Sequence, residues 1–119
     1  VVDQIDQMID NAKKNSSKQE SHLSLDERAA IHLYTQAWSL PEKSFYTILN
    51  RVLRDGNRDR LKCFFPYLKL LISALLKIPA ERRHVYRGVK QDLAAGYQQG
   101  QTYYWWSFTS CTTSVAVLQ

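Results

Sequence analysis

Apolar residues recur at helical spacing through the first part of the chain, and this pattern predicts a series of amphipathic helices. The first helix is short, because a polar run at residues 11–22 interrupts the pattern. Its apolar positions are Val2, Ile5, Met8, Ile9 and Ala12. We therefore interpret residues 1–23 as a docking helix followed by a polar linker.

Signals for helix ends mark the second and third helices. Ser24 and Glu27 have the spacing of a capping box, in which each side chain accepts a hydrogen bond from the other residue's amide. We expect that helix to end near Ser39. Pro41 suits the first turn of the next helix, where its missing N–H costs nothing, and Gly56 is expected to end it. The predicted inward-facing residues are Ala30, Tyr34, Ala37, Trp38, Phe45, Ile48, Leu49, Val52 and Leu53.

A further helical pattern covers residues 61–76 and contains Pro66. Because proline lacks an amide and clashes with the preceding turn, we expect a kink or a new helix start near Phe65. The Ile78-Pro79 pair closes the pattern, since the residue before proline disfavours helix. The inward-facing positions are predicted among Leu61, Phe64, Phe65, Leu68, Leu71, Ile72, Leu75 and Leu76.

Beyond these helices the pattern changes to β-forming and aromatic residues. Residues 84–89 and 103–111 predict two strands, with one helical turn at residues 92–97 between them. Helices followed by strands predict an α+β fold, in which a helical lobe at residues 24–79 packs against a small, mainly antiparallel sheet. We expect the first strands of that sheet at residues 83–112.

Composition narrows the possible functions. The 119 residues, 45% hydrophobic and 23% charged, fit one globular domain, and the net charge of +5 weakly favours anionic ligands. The three histidines and two cysteines lack the spacing of metal ligands, so we expect no metal. The apolar run at residues 63–78 is shorter than the roughly 20 residues that cross a bilayer. Acids interleave with the basic stretch at residues 51–62, so we expect no nucleic-acid binding.

The candidate chemistry lies in the two predicted strands. Arg87 precedes Gly88, so a guanidinium able to grip a diphosphate stands next to backbone that a ligand can approach closely. Alternation along the second strand places Phe108, Ser110 and Thr112 on one face. Two hydroxyls on one face are able to orient a ribose and a neighbouring carboxylate. Each feature alone is more often structural than functional, so the inference depends on the two occurring together.

Together the two segments carry a resemblance to a known family. Residues 86–88 (Y-R-G) and 108–112 (F-T-S-C-T) resemble, in order, the first two motifs of the arginine-specific mono-ADP-ribosyltransferases of the R-S-E class. The helical lead-in is similar to that of the family's eukaryotic branch, so the resemblance covers about residues 24–119. It implies the N-terminal portion of an ADP-ribosyltransferase catalytic domain, with its split antiparallel sheet.

The resemblance also implies a role for each matching residue. Arg87 would bind the NAD diphosphate and the nicotinamide-side ribose, and the Gly88 backbone would pair with the nicotinamide carboxamide. Ser110 would be the catalytic serine, which contacts ribose and holds the catalytic glutamate. Thr112 stands where many members have a second serine, and it would support the strand at the NAD site.

The implied reaction is a glycosyl transfer that moves ADP-ribose from NAD to a protein arginine and releases nicotinamide. NAD is the co-substrate, and no metal takes part. The family's third motif, E-x-E, occurs nowhere in the 119 residues. We therefore expect this piece alone to be close to inert, and a C-terminal remainder of the domain, in the same or a separate chain, to supply the glutamate. The alternatives are an NAD glycohydrolase, with water as acceptor, and an inactive ADP-ribosyltransferase-like binding module.

Overall fold

A computed structural model describes residues 4–16 and 22–119. Contacts divide the chain into two units, which we call the helical unit (Val1–Pro79) and the C-terminal unit (Ala80–Gln119). In the described part of the helical unit, the α-helices are α1 Ile5–Ser16, α2 Leu25–Thr35, α3 Phe45–Asp55, α4 Arg58–Lys62 and α5 Phe65–Lys77. Short 3₁₀ helices lie at Pro41–Lys43, Ala94–Gly96 and Val115–Leu118.

The predicted helix-end signals at Ser24, Gly56 and Phe65 are confirmed. The Ser24 hydroxyl accepts from the Glu27 amide at 3.2 Å, and Glu27 Oε1 accepts from the Ser24 amide at 3.1 Å, so the capping box caps α2. Gly56 ends α3 with a φ of 67°, a left-handed conformation that a residue with a Cβ adopts only with strain. A new helix starts at Phe65, with Pro66 in its first turn.

Three predicted boundaries are wrong. Helix α1 continues to Ser16 instead of ending near Ala12, and Lys13 and Lys14, which follow Ala12, are exposed residues that favour helix. Helix α2 ends at Thr35, not near Ser39, and the Thr35 hydroxyl donates to the His32 carbonyl at 3.1 Å. Pro41 opens a separate 3₁₀ helix and not α3. Val2 and linker residues 17–21 lie outside the described residues.

The core of the helical unit lies among α1, α2, α3 and α5. Its buried apolar residues are Ala12, Leu23, Ala29, Ala30, Leu33, Phe45, Leu49, Val52, Phe64, Leu71 and Ala74. The inward positions predicted for α3 are confirmed at Phe45, Leu49 and Val52. Two polar contacts tie the helices together: Asn50 donates to the Tyr34 hydroxyl at 3.0 Å, and the Tyr67 hydroxyl donates to the Ala30 carbonyl at 2.7 Å.

The predicted α+β fold with an antiparallel sheet is wrong, because no strand forms in residues 4–16 and 22–119. Residues 84–89 and 103–111, predicted as strands, are largely irregular, and the segments 83–112 contain one isolated bridge between Tyr86 and Thr112. None of residues 80–119 is buried. Aromatic and β-branched residues favour extended backbone, but a sheet also needs partner strands and a packed face, and neither is present.

Candidate functional site

The two segments that carry the sequence motifs meet at one point in the C-terminal unit. The Tyr86 amide donates to the Thr112 carbonyl at 2.7 Å, and the Thr112 amide donates to the Tyr86 carbonyl at 2.9 Å. This reciprocal pair is antiparallel, so Arg87 and Gly88 follow Tyr86 on the side where Ser110 precedes Thr112. The structure therefore joins the segment of Arg87 and Gly88 to the segment of Ser110 and Thr112 at this one bridge, without a sheet.

The Arg87 side chain has the properties needed to bind an anion. It is exposed, and it forms no ion pair with an acid in the described part of the chain. The neighbouring Arg83 instead pairs with Glu81. A guanidinium without an internal carboxylate keeps its donors available for a planar, bidentate contact with a phosphate or carboxylate ligand.

The face predicted for Ser110 and Thr112 does not form. Ser110 is exposed, whereas Phe108 and Thr112 are half-buried, so exposure does not follow the alternation of a strand. The Thr112 hydroxyl accepts from the Ser114 amide at 3.1 Å and so stabilises the turn after the bridge. Alternation requires extended, paired backbone on both sides of the bridge, and that pairing is limited to residue 112.

Leu118 is a contact residue that the sequence analysis missed. A Cβ built on Gly88 would lie 3.1 Å from Leu118 Cδ2 and 3.7 Å from Leu118 Cβ and Cγ. Glycine at position 88 thus leaves room for a leucine side chain on the main chain of the R-G motif. No local sequence signal predicts this contact, because Gly88 and Leu118 are far apart in the sequence. They meet only through the bridge and the turn that follows it.

The helical unit holds a buried carboxylate that sequence reasoning treated only as a helix cap. Glu27 is 5% exposed, and among the described residues it is the one buried charged side chain. Its Oε1 accepts from Lys77 Nζ at 2.7 Å, which joins the start of α2 to the end of α5. The hydrogen bond from Lys77, followed by the one from the Ser24 amide, lowers the pKa of Glu27. Such a group stays ionised near neutral pH, so it is an anchor between helices and not a proton donor.

Acid is expected to weaken the helical unit through Glu27. Because the pKa of Glu27 is lowered on folding from about 4.3 in an unfolded chain, its stabilising contribution is fully present above that pH and is lost as the pH falls through the folded-state pKa. In Glu27→Gln that loss is absent, so the urea midpoints of variant and parent should converge in acid. Urea unfolding between about pH 3 and pH 7 measures this, with the exposed Glu42→Gln as control. A constant difference between parent and Glu27→Gln contradicts it.

Two apolar cavities of about 280 and 350 Å³ adjoin Ile9, Leu33 and Tyr67, between α1, α2 and α5. Burial raises the pKa of Tyr67, and its hydroxyl is already used by the Ala30 carbonyl. The rest of the lining is mostly aliphatic or aromatic, with charged groups at Lys13 and Asp26 only. A ligand site usually needs several convergent polar groups, so these cavities are weaker candidates than the Arg87 region.

In residues 4–16 and 22–119, no group of three or more His, Cys, Asp or Glu side chains is arranged to hold a metal ion. No helix in this part of the chain is long and apolar enough to cross a membrane. Comparison with known protein families, with curated proteins and with solved structures matches none of them to this chain.

Proposed function

We propose that this chain contributes the Arg and Ser motifs of an NAD-dependent mono-ADP-ribosyltransferase that modifies protein arginine. The observation that carries the proposal is the Tyr86–Thr112 bridge, which joins the segment of Arg87 and Gly88 to the segment of Ser110. The motifs, residues 86–88 and 108–112, are 20 residues apart at their nearest ends, so a chance pair of motifs would not have to meet in the folded chain.

Each residue has a role that its chemistry supports. The exposed Arg87 guanidinium grips the NAD diphosphate through two parallel hydrogen bonds. The Gly88 main chain pairs with the nicotinamide carboxamide, and the exposed Ser110 hydroxyl contacts the ribose and orients the catalytic glutamate. Thr112 holds the turn next to them through its bond to the Ser114 amide.

The reaction breaks the bond between the nicotinamide nitrogen and ribose C1′, and nicotinamide leaves with the bonding electrons. A guanidinium nitrogen of the acceptor then bonds to C1′ and loses a proton. A carboxylate that accepts from the ribose 2′-OH stabilises the positive charge on the ribose, and losing such stabilisation costs roughly 10²–10³-fold in rate. No E-x-E occurs in these 119 residues, so the proposal assigns that glutamate to the C-terminal remainder of the domain.

Nicotinamide release tests the proposal. With the full-length protein, or with both halves of the domain co-expressed, we expect nicotinamide and an ADP-ribosylated arginine analogue in equal amounts. The 119 residues alone should be at least about 10²-fold slower, because they lack the glutamate.

The other outcomes separate the alternatives. Nicotinamide and free ADP-ribose without a modified acceptor indicate an NAD glycohydrolase. NAD binding without turnover indicates an inactive binding module. The proposal of an NAD-using protein is overturned if the complete domain neither turns over NAD nor binds it.

A further inference from the structure

Leu118 lies beside Gly88 in the C-terminal unit, on the side where other residues carry a Cβ. A Cβ added at Gly88 would lie 3.1 Å from Leu118 Cδ2. Such a distance is shorter than most real Cβ contacts, so an alanine at position 88 would require Leu118 to give way by a few tenths of an ångström. The approach of a ligand to Gly88 from that side therefore competes with the leucine.

The same bridge that assembles the candidate site also places Leu118. Thr112 pairs with Tyr86, its hydroxyl holds the Ser114 amide, and the 3₁₀ helix Val115–Leu118 follows at once. Since these links are short and consecutive, Leu118 returns to within contact of Gly88, two residues after the bridged Tyr86.

We propose that Leu118 is a latch, which occupies the Gly88 main chain in the free protein and moves aside when nicotinamide binds. This inference rests on the proposed function, because it takes the Gly88 main chain as the partner of the nicotinamide carboxamide. It adds a regulatory element to that site: the protein binds NAD only from the fraction of molecules in which Leu118 has left.

The latch is weakly held. Leu118 stays 42% exposed, so little apolar surface is lost when it moves. The backbone hydrogen bonds at the two ends of its 3₁₀ helix are long, at 3.4 Å from the Val117 amide to the Ser114 carbonyl and 3.5 Å from the Gln119 amide to the Ala116 carbonyl. Movement of Leu118 away from Gly88 should therefore be an equilibrium. A ligand with a modest preference for the open state shifts that equilibrium, so the latch does not prevent binding.

Calorimetric titration of the full-length protein with NAD tests the latch. Leu118→Ala removes the atom nearest to Gly88, so its Kd for NAD should fall about threefold to tenfold, as expected if roughly a tenth to a third of the parent molecules are open. Val117→Ala is the matched control, because Val117 belongs to the same turn and is 72% exposed. It should leave the Kd unchanged. ADP-ribose lacks nicotinamide, so Leu118→Ala should not tighten its binding.

Each outcome decides the matter. Equal or weaker NAD binding by Leu118→Ala overturns the latch while leaving the proposed function standing. Tighter binding of ADP-ribose as well as NAD also overturns it, because the effect is then not at Gly88. Failure of the parent and both variants to bind NAD overturns the proposed function and the latch together. Without ligand, NMR should show cross-relaxation between the Leu118 methyl and Gly88 α protons, and its absence contradicts the latch directly.

Discussion

Phe45→Ala is expected to lower the free energy of unfolding by about 3–5 kcal/mol, because it empties the centre of the helical unit. The Phe45 ring is 4% exposed. It meets the Phe64 ring edge-on at 5.8 Å between centroids and the Tyr67 ring at 4.6 Å. It also lines the larger of the two apolar pockets, so the truncation widens that pocket.

Urea unfolding of the whole chain, followed by helical circular dichroism, measures this loss. Phe65→Ala is the matched control, since it removes the same side chain from a position that is 49% exposed. About 1 kcal/mol is expected there, in proportion to the smaller buried area. If the two substitutions lower stability equally, the core described around Phe45 is wrong.

Arg87→Ala is expected to raise the Kd for NAD about 10- to 100-fold if the proposed function holds, because it would remove the proposed charge-assisted hydrogen bonds to the diphosphate. Arg87→Lys should recover only part of the affinity, since an ammonium cannot form the same paired contact. The residue is exposed and forms no ion pair with a described acid, so neither change should alter folding.

Titration with NAD measures the effect, and Arg82→Ala serves as control because Arg82 is a nearby exposed arginine outside the motif. Ser110→Ala provides the contrast: it should lower turnover by the complete domain more than it lowers affinity. The role assignments are overturned if Arg87→Ala reduces turnover alone while Ser110→Ala reduces affinity.

Local signals correctly predicted the start of α2, the end of α3 and the start of α5, because the interacting groups are close in sequence. The capping box links Ser24 to Glu27, and Gly56 supplies the left-handed turn that ends α3. The start of α5 at Phe65 follows from Pro66 in the same way. Such signals say little about which side of a helix is buried. In α5, Leu71 is buried, whereas Leu76 is 81% exposed. Apolar residues lie on several sides of α5, and only those that face the neighbouring helices are buried.

The candidate site shows the same difference between what the sequence predicts and what only the folded chain shows. The sequence alone identified Arg87, Gly88, Ser110 and Thr112 as candidates, and the structure brings their segments together at a single bridge. The sequence did not predict the contact between Leu118 and Gly88 or the Glu27–Lys77 ion pair, whose partners are 50 residues apart. Neither contact has a periodic or short-range signature, so only the folded chain shows it.

By itself, then, the sequence determined the caps at Ser24 and Gly56, the start of α5 and the inward side of α3. The tertiary structure decided that the aromatic, β-rich segment forms no sheet, that Glu27 is anchored by Lys77, and that Leu118 lies on Gly88. The physical reason is the range of the interactions. Capping and turn preferences act within about four residues, whereas strand pairing and side-chain burial depend on partners that the chain brings together only when it folds.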